Sequence, residues 1–115
     1  MKYALLLYSS PEARDRHLDG GDAIVAEYAE IFRLPGVVDG LRLQEPDSAT
    51  TVRVEENGEA LLSDGPFVDA KEYLGGLYLI EADNLDAATA IAQKIPTARL
   101  GGAVEVRPIN EQPLR

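Results

Sequence analysis

Apolar positions in this chain fall into short continuous runs and two helical stripes, and their spacing predicts the elements in turn. Residues 2–8, Lys-Tyr-Ala-Leu-Leu-Leu-Tyr, are apolar at both odd and even positions, which predicts a buried strand. Residues 9–22 are polar and rich in charge and glycine, which predicts a loop ending at Asp22, a residue able to cap a helix. Ile24, Tyr28, Ile31 and Phe32 then recur on one helical face, with Glu27, Glu30 and Arg33 elsewhere, and Pro35-Gly36 ends that helix. Residues 41–44 form a short strand. Residues 50–54 alternate β-branched residues with Arg53 and read as another strand, returning over 60–62 after Glu56-Asn57-Gly58-Glu59. Asn-Gly at that turn favours the positive φ angles of a type I′ hairpin. Residues 63–72 connect to a strong strand at 73–81, interrupted by Gly75-Gly76. Asp83 or Asn84 caps a second helix over 85–95, stopped by Pro96, with Ala88, Ile91, Ala92 and Ile95 turned inward. Gly101-Gly102 opens a last strand at 103–107, and the tail 108–115 is expected to be loose or packed on a partner.

The order β-α-β, hairpin, β-α-β predicts an α+β, ferredoxin-like arrangement with an extra hairpin in the middle, built as one domain over residues 1–115. Two helices cover one face of such a sheet. The strands at 2–8 and 73–81 nonetheless carry apolar residues on both faces, so something must cover the second face. A second copy of the sheet is the simplest cover, and a homodimer is expected on that ground.

Composition narrows the function classes. The chain has 115 residues, no cysteine and a single histidine, His17. Disulfides, thiolate chemistry and a His-rich zinc site within one chain are thereby excluded, and no metal or cofactor is expected. The formal net charge of −9 repels nucleic acid and anionic membranes, and the eleven basic residues form no run that would track a phosphate backbone. The apolar start stops at Ser9-Ser10-Pro11-Glu12, too short for a secretion signal, and no stretch reaches the ~18–20 apolar residues of a membrane span. A cytoplasmic location is expected.

Few residues stand out as candidates for chemistry. In Asp64-Gly65-Pro66-Phe67 the simplest reading is a turn, with the Asp64 side chain accepting from backbone N–H groups two residues on and Phe67 as an anchor. The functional reading places Asp64 at the mouth of a pocket, as a general base or an anchor for a polar ligand. Lys71 and Glu72 are adjacent, so one can face inward while the other faces solvent. A buried Glu72 would titrate high enough for acid–base work, whereas a Glu72 paired with Arg53 or Arg107 on the surface would contribute little. Gly75-Gly76 inside a strand marks a bulge or a close approach of backbone or ligand. His17 has an unperturbed pKa near neutrality, and Asp15, Asp19 and Asp22 around it favour the imidazolium; in a loop it is expected to be solvent-exposed. Tyr8, Tyr28 and Tyr78 are expected in the core with hydroxyls at a cavity edge.

The stretch from Ser63 through Asp64-Gly65-Pro66-Phe67, Lys71-Glu72 and Gly75-Gly76 to Ile80 resembles the signature of the YCII-related proteins that carry a DGPF motif. The start Met1-Lys2-Tyr3-Ala4-Leu5-Leu6-Leu7-Tyr8, the segment Ala49-Thr50-Thr51-Val52-Arg53 and the end Val104-Glu105-Val106-Arg107-Pro108-Ile109 are similar too, so the resemblance covers nearly the whole chain. It implies a dimeric α+β barrel and, through relatives found beside sigma factors, a regulatory link. It also implies a His–Asp pair in YCII proteins proper. His17 lies ahead of the helix where that histidine is expected, so the pair is not carried over.

Two functions follow as expectations. One is a small-molecule-binding or regulatory dimeric module, with Asp64, Phe67, Lys71, Glu72 and Gly75 at the ligand and a basic protein partner favoured by the acidic surface. The alternative is a small cofactor-independent enzyme in which Asp64 and Glu72 act on a proton with His17 as a third group.

Overall fold

The computed structural model describes residues 1–112 and 114. The order is β1 (Lys2–Ser9), α1 (Pro11–Ile31), β2 (Val37–Arg42), a 3-10 turn (Pro46–Ser48), β3 (Thr50–Val54), β4 (Ala60–Asp64), β5 (Tyr73–Glu81), α2 (Leu85–Ala92), α3 (Pro96–Arg99) and β6 (Ala103–Pro108). β2, β5, β1 and β6 form an antiparallel four-stranded sheet in that spatial order, and β3 and β4 form a separate two-stranded sheet. This is the ferredoxin-like α+β arrangement with a hairpin inserted between its second and third sheet strands.

Strand register decides which side chains meet the helices. Tyr3 lies opposite Ile80, Leu5 opposite Tyr78 and Val106, and Leu7 opposite Gly76 and Val104. Side chains at paired positions share a face, so this set forms the inner layer. With Ile31, Ala88, Ala92 and Ile95 from the helical layer they make the buried core. The other face carries Ala4 opposite Leu79, Leu6 opposite Leu77 and Leu41 opposite Leu77. Among the described residues no helix lies over it, and Leu41 remains 52% exposed.

Several local features differ from the sequence expectation; β2 runs over Val37–Arg42 rather than 41–44. The first helix begins eleven residues before Asp22, because Ser10 caps it by accepting from the Ala13 amide at 3.2 Å and Pro11 stands in its first turn. Gly21 (φ 57°, ψ −142°) interrupts it, and Asp22 opens the second segment. Residues 9–22 are therefore mostly helix rather than loop. The second helix ends at Ala92, and Pro96 starts α3 instead of merely ending α2. In the hairpin, Asn57 keeps a negative φ and Gly58 alone is left-handed (φ 88°). The Gly58 amide donates to the Glu55 carbonyl at 2.8 Å and the Glu55 amide to that of Glu59 at 2.8 Å. This is a turn closed by a glycine bulge rather than a type I′ turn.

Gly75 is the extra residue of the β5 strand, since Leu7 pairs with Gly76 and Tyr8 with Leu74. At Gly76 a Cβ would stand 2.6 Å from the Leu41 carbonyl oxygen, so close strand approach explains that glycine. Of the tail, the Ile109 amide donates to the Lys2 carbonyl at 2.9 Å, while residues 113 and 115 lie outside the described residues.

Candidate functional site

The early start of α1 puts His17 on a helix rather than in an exposed loop. Its Nδ1 lies 2.7 Å from the Ala13 carbonyl oxygen, one turn back, and its Nε2 lies 2.6 Å from the Tyr28 hydroxyl. The carbonyl can only accept, so Nδ1 carries the proton and, in the neutral ring, Nε2 accepts from Tyr28. The Tyr28 oxygen lies 2.7 Å from Thr97 Oγ1, whose hydroxyl then donates to it. The result is a directed chain, Thr97 to Tyr28 to His17, spanning both segments of α1 and the start of α3. Thr97 is 3% exposed, and His17 and Tyr28 are half-buried. Burial raises the Tyr28 phenol pKa, while the Thr97 hydroxyl and the guanidinium groups of Arg42 and Arg99 pull it down.

A groove of about 500 Å³ is lined by Arg14, Arg42, Leu43, Gln44, Glu45, Asp47 and Ser48, and its lining includes none of His17, Tyr28 and Thr97. Arg14 is one turn ahead of His17 and pairs with Glu45 at 3.5 Å across the groove. Arg42 comes from the end of β2, opposite Gly76, and so projects on the helix side of the sheet. Tyr73, at the start of β5, is next to Glu45; burial first, then that carboxylate, raises its pKa.

The residues singled out in the sequence divide into two groups. Lys71 pairs with Glu12 at 3.3 Å, which draws the loop ahead of β5 onto the first turn of α1, near the groove. Glu72 is exposed and pairs with neither Arg53 nor Arg107. Arg107 instead pairs with Glu105 at 2.7 Å. Asp64 and Phe67 stay with the hairpin. The Arg53 guanidinium lies 5.0 Å from the centroid of the Phe67 ring, which is 68% exposed. Asp64 is exposed, and its carboxylate accepts no hydrogen bond among the described residues. The expected side-chain turn does not form because Pro66, two residues on, has no N–H. What orders the loop is backbone: Gly65 (φ 100°) donates to the Ala49 carbonyl at 2.7 Å and accepts from the Thr51 hydroxyl at 2.8 Å. Tyr78 is in the core as expected, Tyr28 packs half-buried against it and Tyr8 is half-buried; the Tyr28 and Tyr78 hydroxyls meet protein partners rather than a cavity edge. Arg42 and Thr97 were not singled out. Ser10-Pro11-Glu12, a cap followed by a first-turn proline and acid, was the signal that would have placed His17 on a helix.

The sequence profile of the YCII-related domain matches residues 1–112. The chain belongs to the YCII-related family. An uncharacterized protein of Rhizobium meliloti (strain 1021) is 35% identical over 118 residues, covering 95% of this chain and 92% of that protein. Among solved structures, 5-chloro-2-hydroxyhydroquinone dehydrochlorinase from Burkholderia phenoliruptrix AC1100, in complex with 2,5-dihydroxybenzoquinone, superposes with a TM-score of 0.55. That match covers 97% of this chain and 96% of the other at 15% identity, and it establishes the shared fold. In this YCII-related chain the ring partner of His17 is a tyrosine hydroxyl, and no carboxylate hydrogen-bonds to it among the described residues.

Proposed function

We propose that this YCII-related protein is a homodimeric module that binds a small molecule in the groove between α1 and the end of β2. The carrying observation is the groove itself, about 500 Å³ in volume and lined by Arg14 and Arg42, with Arg14 one helical turn from the half-buried His17–Tyr28–Thr97 chain. Fixed polar groups in its lining are how a pocket orients ligands.

The protomer's shape supports the dimer. Its radius of gyration is 16.2 Å, against about 13 Å for a compact chain of this length. Its accessible surface is 8237 Å², against roughly 6,200 Å² for a folded monomer of this mass. The surplus of about 2,000 Å² on each chain, about 4,000 Å² for a pair, is the scale of an obligate dimer interface. It coincides with the uncovered apolar sheet face and with a hairpin that exposes Val52, Val54, Leu61 and Leu62. A lone two-stranded hairpin is marginally stable in water, so it gains from a second copy. A regulatory role, with a basic protein docked on the acidic surface, is the same module acting without turnover.

The second reading, a cofactor-independent enzyme, is favoured by the placement of His17 Nε2 against a tyrosine hydroxyl, an arrangement able to pass a proton. A thermal-shift screen against metabolites, on wild type and on His17→Gln, Glu72→Gln and Asp64→Asn, tests both readings. Binding predicts stabilisation that His17→Gln weakens. Chemical conversion of the bound compound by wild type but not by His17→Gln selects the enzyme. A monomer by light scattering removes the dimer, and hits indifferent to His17 remove this site.

A further inference from the structure

We infer that the groove selects a small organic acid of single negative charge, whose carboxylate is held by the Arg42 guanidinium. The inference rests on the groove being the ligand site and adds the class of molecule.

Two guanidinium groups line the groove, and they are not equivalent. Arg14 is neutralised by Glu45 at 3.5 Å. Arg42 has no carboxylate within ion-pair distance and no hydrogen-bond partner among the described residues. In a chain with a formal net charge of −9, carboxylates are plentiful, yet none is set against this arginine. A planar guanidinium matches a carboxylate through two parallel N–H donors, and a groove that leaves it unpaired keeps that fork for a ligand. Its charge also reaches the Tyr28 hydroxyl, so an acid held there would lie beside the His17–Tyr28 chain.

The same lining sets the limit on charge. Asp47 stands on the rim with Arg42, and with Arg14 and Glu45 already paired to each other a second negative charge on the ligand would meet the uncompensated Asp47 carboxylate and no further free cation of the lining. A phosphate ester or a tricarboxylate is disfavoured for that reason. Leu43, 42% exposed on the same lining, offers apolar contact to the remainder of the molecule.

Isothermal titration and thermal shift with benzoate, 4-hydroxybenzoate, phenylpyruvate and octanoate, each against its neutral amide, test the inference on the full chain. Acids are expected to bind and amides not. Arg42 is exposed at a strand end, so Arg42→Gln leaves the core intact and is expected to weaken acid binding about 10- to 100-fold, the worth of a charge-assisted hydrogen bond. Arg42→Lys is expected to recover part of it. Benzene-1,3,5-tricarboxylate is expected to bind more weakly than benzoate. Amides matching acids, acid binding that survives Arg42→Gln, or a tricarboxylate that binds better would each overturn the inference while leaving the groove a ligand site. Neutral compounds binding through His17 with no acid bound would do the same. No binding by any acid or library compound would remove the ligand site as well.

Discussion

Tyr78 links the core to the candidate site and gives the sharpest test of the packing. Its ring is 5% exposed between β5 and the helices, packed edge-on against Phe32 with centroids 5.4 Å apart. Its hydroxyl donates to the Tyr28 carbonyl at 3.3 Å. Burial, and then the proximity of the Tyr28 phenol, push its pKa up to about 12 from 10. The folded protein therefore keeps a proton that the unfolded chain loses as pH rises between those values. Fewer protons on the unfolded state means that stability falls with pH there. The contribution is fully present below pH 10. By pH 11 it is reduced by about 1.4 kcal/mol, and well above pH 12 by about 2.7 kcal/mol. Tyr78→Phe cannot ionise, so it lacks this loss. At neutral pH it forgoes one long hydrogen bond, a cost of at most about 1 kcal/mol. The two stability curves should cross: wild type slightly more stable at pH 8, Tyr78→Phe more stable by pH 11. Urea unfolding of both proteins at pH 8, 9, 10 and 11 measures the difference, and the comparison cancels the other tyrosines and lysines. Parallel curves would refute the burial argument for Tyr78.

Two further outcomes follow from contacts around the same layer. Gly40→Ala places a Cβ 2.6 Å from the Tyr78 ring and 2.9 Å from Phe32, so it should destabilise by about 1–3 kcal/mol, read as a lower urea midpoint; an unchanged midpoint would mean that β2 moves freely against the core. Thr97→Val keeps the shape but removes the donor to Tyr28, and should cost about 1–2 kcal/mol with an unchanged denaturant slope; unaltered stability would contradict the directed chain from Thr97 to His17.

The sheet was legible because its signal is local. Alternation and apolar runs at 2–8, 50–54 and 73–81 mark strands wherever they fold, and Asn84 and Pro96 punctuate the second helix. The second, uncovered face was legible for the same reason: Leu6, Leu77 and Leu79 break the alternation that a half-exposed strand shows. The first half of α1 was not legible from periodicity. It buries only Ala13, with His17 and Gly20 half-covered, so residues 11–20 carry charge on most of their circumference and read as loop. What makes this segment helical is its start, a serine cap and a proline, followed by packing against α3 and Gly101. A Cβ at Gly101 would stand 3.0 Å from the Arg16 guanidinium, which shows how closely that segment is seated.

The candidate site was hidden by this same misreading. His17 meets Tyr28 only if both lie on one helix broken at Gly21, and Tyr28 meets Thr97, 69 residues on, only through the fold. Sequence reasoning therefore gathered chemistry at Asp64-Gly65-Pro66-Phe67, where four unusual residues are contiguous, and the fold assigns that stretch chiefly to the hairpin. Its backbone, through Gly65 to Ala49 and Thr51, fixes how β4 leaves the two-stranded sheet. That hairpin is also where the protomer exposes Val52, Val54, Leu61, Leu62 and Phe67. The motif and the surplus surface thus belong to one element. The contiguous signature bears on how the hairpin is held, whereas the dispersed residues His17, Tyr28 and Thr97 form a hydrogen-bonded chain and Arg42 lines the groove.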